Sequence, residues 1–167
     1  MIFKFLGKNF YFSFSIVGLI YFLDRLSKIF VIQLDKNSFG SEIFSSAYLN
    51  IILIWNKGIA FGLFSFDESH LYNILTLIIT IIVVIIVIMS LKSQGIKRYS
   101  LLMIVGGAIG NLYDRIYYKA VPDFIDFHIG ELHWFIFNIA DIFISVGVIF
   151  MIFFELIGDN NKYDEKS

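Results

Sequence analysis

The stretch from Ser69 to Leu91 contains no Asp, Glu, Lys or Arg and consists largely of Ile, Leu and Val. A helix of about 20 mostly apolar residues is what crosses the hydrocarbon core of a bilayer. The composition of the whole chain agrees with this, because 58% of the 167 residues are hydrophobic and 16% are charged. An ordinary soluble domain is about 25% charged. The sequence therefore predicts an integral membrane protein with a single domain, residues 1–167.

Composition also excludes several functional classes. The sequence has no cysteine, so a disulfide framework, a thiolate nucleophile and a Cys-ligated metal are excluded. The net charge of -1 gives no reason to expect a nucleic-acid partner. Low hydrophobicity with high net charge is what keeps a chain disordered, and this chain has neither.

Three further segments are apolar enough to be predicted as spans, at approximately 10–32, 99–118 and 132–155. The predicted fold class is an all-α membrane protein with four transmembrane helices. The segment 35–68 is the one long piece between spans, and within it Phe44–Trp55 has strand-like composition. Aromatic residues typical of a membrane–water boundary follow, namely Trp55, Phe61, Phe64 and Phe66. We expect a small extracytoplasmic subdomain made of β-structure and a short amphipathic helix.

The basic residues outside the spans predict the orientation of the chain. Seven of them lie on one side, at Lys4, Lys8, Lys92, Lys97, Arg98, Lys162 and Lys166. The other side has three, at Lys36, Lys57 and Lys119. Because short cytoplasmic loops carry an excess of Lys and Arg, we expect both termini in the cytoplasm. The segments 35–68 and 119–131 are then predicted to lie outside, the latter as a loop.

Polar residues inside the spans are predicted to lie at one depth. A charged residue in a span costs about 2.5–3.5 kcal/mol on insertion scales, so it suggests function. At a rise of 1.5 Å per residue, Asp24 and Asp114 lie about 21–22 Å from the cytoplasmic surface and Asn111 about 18 Å. Asp141 is predicted about 10 Å below the outer surface, which is about 20 Å from the cytoplasmic surface. Three spans therefore deliver polar groups to one layer in the outer third of the bilayer.

Helical spacing also places these polar groups near one another within each span. Asp24 and Lys28 are four residues apart, as are Asn111 and Arg115. Asp24–Lys28, and likewise Asp114–Arg115, could be an ion pair that only holds the bundle together, or part of a functional site.

Asp141 differs from these residues because no basic residue lies near it in its own span. It is three residues from Asn138, on the same helical face. A carboxylate in hydrocarbon must find a partner or keep its proton. Asp123, just after the third span, is predicted to reach the same layer.

Two carboxylates in one pocket allow a hydrolase in which one activates water and the other is an acid. They equally allow a proton- or ion-coupled transporter, and the residues alone do not choose between the two.

Five short motifs resemble those of the bacterial lipoprotein signal peptidases, also called signal peptidase II. In chain order they are Asp24–Lys28 (DRLSK), Asn56–Phe61 (NKGIAF), Gly106–Arg115 (GGAIGNLYDR), Val121–Phe124 (VPDF) and Phe137–Asp141 (FNIAD). The chain departs from the family pattern where Arg25 replaces the common Gln, Ile59 a small Ala, and Pro122 an apolar Val or Ile.

The resemblance implies an intramembrane aspartic endopeptidase of the bacterial cytoplasmic membrane. Such an enzyme removes the signal peptide of prolipoproteins by cleaving before the cysteine that carries a diacylglyceryl group. The catalytic pair carries over to Asp123 and Asp141. The resemblance implies no metal and no cofactor. The implied partners are the lipid bilayer and the prolipoprotein, and the enzyme is expected to act as a monomer.

The remaining motif residues are expected to support the catalytic pair. The resemblance implies that four of them line the site, namely Asn56, Asn111, Arg115 and Asn138. Three others are expected to tie helices together, namely Asp24, Lys28 and Asp114. We expect the segment 56–66 to act as a lid or a clamp over the site.

Two further alternatives follow from the residues. A zinc hydrolase could use four clustered residues, Asp126, His128, Glu131 and His133. The sequence contains no H-E-x-x-H motif, so we expect His128 and His133 to be interfacial loop residues. His70 is expected to be an interface residue as well.

A purely structural membrane subunit is the other alternative, and it predicts that Asp141→Asn changes no enzymatic activity. A transporter usually has inverted repeats, and none is visible here.

Overall fold

The structure, a computed structural model, describes residues 8–38, 42–58 and 69–164. Within these ranges the chain forms four helices and one small antiparallel sheet. The helices are α1 (Lys8–Ser38), α2 (Ser69–Lys92), α3 (Gly95–Tyr117) and α4 (Ile139–Asp164). The strands are β1 (Phe44–Ser45), β2 (Leu49–Asn56), β3 (Val121–Ile129) and β4 (Leu132–Phe137). Their order in the sheet is β1-β2-β3-β4.

Helix α3 packs against each of the other three helices and is therefore the centre of the bundle. Its glycines allow close contact with α1. A Cβ added at Gly106 would lie 2.9 Å from the Ile20 side chain, and one added at Gly110 would lie 2.5 Å from an Asp24 carboxylate oxygen. Small residues at such positions let helix backbones approach closely. The glycines of the GGAIG run thus bring polar groups of α1 and α3 together.

Two of the described helices are long and apolar enough to cross a membrane, over His70–Lys92 and Ile139–Ile157. Only 11% of each apolar window is buried inside the protein. Large side chains such as Leu77 and Ile149 are therefore exposed along these helices. Extended apolar surface of this kind indicates contact with lipid or another apolar partner.

The sheet confirms the predicted β-structure but draws on more of the chain than the segment 35–68. Strand β3 comes from the predicted outer loop, so His128 lies in a strand and not in a loop. Strand β4 occupies residues predicted as the beginning of the fourth span, and His133 lies in it. A turn at Gly130, whose φ is +59°, joins the two strands, and glycine adopts that conformation without a steric cost.

The predicted span 132–155 is therefore wrong at its beginning, because the helix begins at Ile139. The run LHWFIF is rich in aromatic and apolar residues, which suit a strand as well as a helix, and pairing with β3 decides in favour of the strand. Asp141 consequently lies in the first turn of α4, not two turns into a span. Helix α1 also extends to Ser38, beyond the predicted boundary at 32. The predicted amphipathic helix, with Phe61, Phe64 and Phe66, lies outside the described residues.

Candidate active site

Asp123 is held by amide groups from both sides of its strand. It lies on β3 with an exposed fraction of 3%. Asn56, the last residue of β2, donates from Nδ2 to Oδ2 of Asp123 over 2.8 Å. Asn138, directly after β4, donates from Nδ2 to Oδ1 over 2.6 Å. Both carboxylate oxygens of this buried group therefore have a hydrogen-bond donor, which buried polar groups require.

Asp141 is positioned by the beginning of α4. The backbone amide of Asp141 donates to Oδ1 of Asn138 over 3.1 Å, and Oδ2 of Asp141 accepts from the backbone amide of Asn138 over 3.2 Å. This reciprocal arrangement is a capping box, which satisfies free amides at a helix N-terminus. Asn111 of α3 donates from Nδ2 to the remaining oxygen, Oδ1 of Asp141, over 2.8 Å. The carboxylate of Asp141 is thus held between two helices.

Asn138 is the residue that joins the two carboxylates, because its side chain binds Asp123 while it caps the helix that carries Asp141. Both carboxylates line one cavity of about 460 Å³. Amide and guanidinium side chains line it as well, from Asn56, Asn111 and Arg115. The remaining lining is almost entirely apolar, from Ile79, Ala108, Val121, Ile144, Ser145, Val148 and Ile149. The cavity therefore combines a few polar groups with a predominantly apolar wall.

Burial, together with the negative charge of Asp141, raises the pKa of the Asp123 carboxyl from 3.8 to about 6. The hydrogen bonds from Asn56 and Asn138 oppose this increase. Two neighbouring carboxyl groups do not ionise independently, since the charge on one disfavours the charge on the other. The pair can therefore hold one proton near neutral pH, with one acid and one base side by side.

Lys28 lies at the centre of a buried ionic cluster behind Asn111. Its side chain is fully buried, and Nζ lies 2.8 Å from Oδ1 of Asp24 and 2.7 Å from Oδ2 of Asp114. Nζ also donates to Oδ1 of Asn111 over 2.8 Å. Because Lys28 binds the amide oxygen of Asn111, the amide nitrogen faces Asp141. The ionic cluster thus orients the Asn111 amide, which contacts the carboxylate of Asp141.

Asp24 connects the same cluster to the beginning of α4. Its Oδ1 accepts a hydrogen bond from the backbone amide of Ala140 over 3.1 Å. A carboxylate is favourable at this position because the free amides of a helix N-terminus carry partial positive charge. The contacts of Asp24, Lys28 and Asp114 therefore tie α1, α3 and α4 together.

Arg115 does not pair with Asp114, so the ion pair considered from the sequence is wrong. Adjacent residues on a helix point in different directions. Asp114 instead contacts Lys28 and, at 2.6 Å, Arg25 of α1. Arg115 faces the cavity and donates from Nη2 to the backbone oxygen of Gly58 over 2.5 Å.

Most of the chain matches one known protein family. Residues 16–157 match the family described as signal peptidase (SPase) II. The chain belongs to the signal peptidase II family. It is accordingly an aspartic peptidase, and the alternative of a transporter has no support.

Relatives and a solved structure agree with this membership. The enzyme is 48% identical over 160 residues to the lipoprotein signal peptidase of Pelagibacter ubique (strain HTCC1062), covering 96% of each chain. It is 43% identical over 150 residues to that of Anaplasma phagocytophilum (strain HZ), covering 85% of this chain and 93% of the other. A solved bacterial membrane enzyme has a similar fold, with a TM-score of 0.71, 27% identity and 90% of each chain covered.

The structure of this peptidase adds residues whose roles the sequence pattern did not indicate. Arg25, which the sequence marks only as a departure from the family pattern, contacts Asp114 and stacks over the Tyr113 ring at 4.9 Å from its centroid. A charge inside an apolar segment was the available signal. Ile144 and Val148 line the cavity at a spacing of four residues, which hydropathy alone did not distinguish from lipid-facing positions. Ile59, with the rest of the expected lid beyond Gly58, lies outside the described residues.

Proposed function

We propose that this enzyme removes signal peptides from prolipoproteins by cleaving before a cysteine that carries a diacylglyceryl group, with Asp123 and Asp141 as the catalytic pair. The observation that carries the assignment is the double contact of Asn138, which holds both carboxylates at one cavity. The relatives named lipoprotein signal peptidase support this substrate class.

The chemistry needs one carboxyl group as a base and one as an acid. The ionised group takes a proton from water while the water oxygen attacks the scissile carbonyl carbon. The protonated group supplies the proton that the departing cysteine nitrogen needs when the C–N bond breaks. The products are a signal peptide with a new carboxyl terminus and a lipoprotein with a new amino terminus. The raised pKa of Asp123 supports this sharing of a proton.

The apolar wall of the cavity supports an apolar substrate. Ile79, Ala108 and Val148 lie on three different helices around the same space as the carboxylates. We infer that this wall receives apolar parts of the substrate, while Asn56, Asn111 and Arg115 orient the peptide backbone. Binding away from the scissile bond positions the reacting groups and contributes to catalysis.

We also propose that all four helices cross the bacterial cytoplasmic membrane, with both termini in the cytoplasm and the sheet outside. Helix α1 carries Asp24 and Lys28, but both are fully buried, and large apolar side chains such as Phe14, Phe22 and Phe30 are exposed along it. The outer face of α1 is therefore more apolar than its composition suggests. Because the cavity is formed within one chain, the enzyme acts as a monomer in this proposal.

The test is cleavage of a diacylglyceryl-modified prolipoprotein by wild type, Asp123→Asn and Asp141→Asn proteins in detergent. We expect turnover to fall by about 10²–10⁴-fold in each variant, the usual contribution of a positioned acid or base. Glu155→Gln is the matched control, because Glu155 is an exposed carboxylate on the same helix as Asp141. Near-normal turnover in a folded Asp123→Asn or Asp141→Asn variant would contradict the catalytic pair.

A further inference from the structure

A second group of chemically reactive side chains lies on the sheet, separate from the cavity. Asp126 and His128 are on β3, and His133 is on β4. Residues two apart on a strand share a face, and His128 pairs directly with His133 across the sheet. The antiparallel hairpin thus brings one carboxylate and two imidazoles to one face. None of the three lines the cavity of Asp123 and Asp141.

The three side chains are close enough to bind one ion. One ligand atom from each lies within 4.8 Å of the other two. Nδ1 of His133 lies 2.8 Å from Oδ2 of Asp126, and the His128 and His133 rings stack with centroids 5.0 Å apart. Ligands around a tetrahedral ion at 2.0–2.2 Å are about 3.3–3.6 Å apart. His133 has a 55% exposed side chain, so a small rotation of this ring can close the remaining difference.

Two buried atoms of this group lack a hydrogen-bond partner among the residues that the structure describes. They are Oδ1 of Asp126 and Nδ1 of His128, in residues whose exposed fractions are 4% and 9%. A buried polar atom without a hydrogen-bond partner destabilises the folded protein. The hydrogen bond between Asp126 and His133 accounts for one carboxylate oxygen, but it gives no role to His128.

We propose that Asp126, His128 and His133 bind one divalent transition-metal ion of the zinc type. Two imidazole nitrogens and one carboxylate oxygen are a ligand set that zinc accepts, with a fourth position left for water. The exposed side of His133 provides the entry path for the ion. Glu131, the fourth residue of the zinc-hydrolase alternative, does not belong to this group.

The ion has a structural role in this proposal. Asp123 precedes Asp126 by three residues on the same strand, about 10 Å along it, so the ion does not touch the carboxyl pair. It joins β3 to β4. Asp123 lies near the beginning of β3, Asn138 directly follows β4, and these two residues meet in the active site. A metal ion that binds the folded protein and not the unfolded chain stabilises the fold, and this stabilisation grows with the logarithm of the affinity.

The experiment uses the full-length protein in detergent, stripped with a chelator and titrated calorimetrically with Zn²⁺. We expect one Zn²⁺ per chain, and affinity at least tenfold weaker in His128→Ala and in His133→Ala. His70→Ala is the matched control, because His70 is the remaining histidine of the chain and lies outside the group. Zn²⁺ should raise the Tm of wild type and of His70→Ala but not of His133→Ala.

Several results would overturn the proposal. Absence of saturable Zn²⁺ binding would do so, as would equal weakening by His70→Ala. Zn²⁺ binding that is unchanged in a folded His128→Ala variant would show that His128 is not a ligand and that Asp126 and His133 form only a hydrogen bond.

Prolipoprotein cleavage is measured in parallel, below the unfolding temperature of the stripped protein. Retained turnover supports the structural role, and lost turnover without a lower Tm would refute that role. Binding and Tm do not depend on the proposed cleavage reaction, so the two proposals fail separately.

Discussion

Nζ of Lys28 on α1 donates a hydrogen bond to the side-chain oxygen of Asn111 on α3 over 2.8 Å. The other end of the Asn111 amide contacts Asp141. A buried cation on one helix therefore sets the orientation of a group that holds a carboxylate on another. The same cation lies between Asp24 and Asp114 and, together with Arg25, offsets their negative charges. We therefore expect Lys28 to contribute to both stability and the geometry of the site.

Replacing Lys28 by Met tests this double role. The change leaves two buried carboxylates with less compensating charge, and removal of one partner from a buried ion pair costs about 3–5 kcal/mol. We expect a large decrease in Tm in detergent together with at least tenfold slower cleavage. Lys97→Met is the control, because Lys97 and Glu155 form an exposed pair, whose loss should change stability by less than about 1 kcal/mol. Equal Tm values for the two variants would contradict the role of Lys28.

Asn138→Ala should remove both the cap of α4 and a donor to Asp123. Loss of an N-cap side chain costs about 0.5–2 kcal/mol. We expect cleavage to fall further than this loss of stability explains, since Asp123 and Asp141 lose their common partner. Gln94→Ala is a close control because Gln94 occupies the N-cap of α3 without a side-chain capping bond. Unchanged turnover in a folded Asn138→Ala variant would separate this residue from the reaction.

The raised pKa of Asp123 predicts how stability depends on pH. Its value rises from 3.8 in the unfolded chain to about 6 in the fold, which corresponds to about 3 kcal/mol at roughly 1.4 kcal/mol per pKa unit. The stabilising contribution of the protonated group is complete below the unfolded pKa, and it is lost as pH rises through the folded pKa.

Asp123→Asn removes this titration. Wild type loses this contribution as the pH rises from about 4 to about 7, and the variant does not. We therefore expect the Tm of the variant minus that of wild type to become more positive across this interval. Thermal unfolding of both proteins across this interval gives the difference directly, and any constant effect of the substitution cancels. A difference in Tm that is the same at both ends of the interval would show that the Asp123 carboxyl does not titrate as described.

Gly110→Ala tests the close approach of α1 and α3. The added Cβ would lie 2.5 Å from Oδ2 of Asp24, so the ionic cluster must shift, and overpacking of this kind costs about 1–3 kcal/mol. Gly18→Ala is the control, since nothing lies within 4 Å of a Cβ at that helical position, and alanine there should be neutral or stabilising by up to about 1 kcal/mol. Similar Tm values for the two variants would argue against close packing at Gly110.

The predicted helices and the observed ones agree where hydrophobicity is unambiguous. The apolar run that begins at Ser69 forms α2 with a difference of one residue at its end. The run Leu132–Phe137 is ambiguous, because aromatic and aliphatic residues suit a strand and a helix alike. Its strand pairing with β3 depends on a partner elsewhere in the chain, so local composition could not reveal it.

In the candidate site, too, some features can be predicted from the sequence and others depend on how the helices pack. Motifs and the approximate positions of the spans led us to expect Asp123 and Asp141 near each other, and both line one cavity. The direction of Arg115, away from Asp114 and into the cavity, depends on the rotation of α3 against its neighbours. Arg25 and the residues of the apolar wall required the packed bundle, since their roles come from contacts with other helices.

The order of the amino acids is enough to predict a membrane protein, the family that it resembles and the carboxylates that it offers. These properties are sums over local residue types or matches to short motifs. The packing of the folded chain is what shows that Asn138 contacts both carboxylates, that Lys28 orients Asn111, and that two histidines lie beside Asp126 on one face of a hairpin. Hydrogen bonds and ligand sets are short and directional, so they depend on how distant segments pack, and residue order alone does not specify that packing.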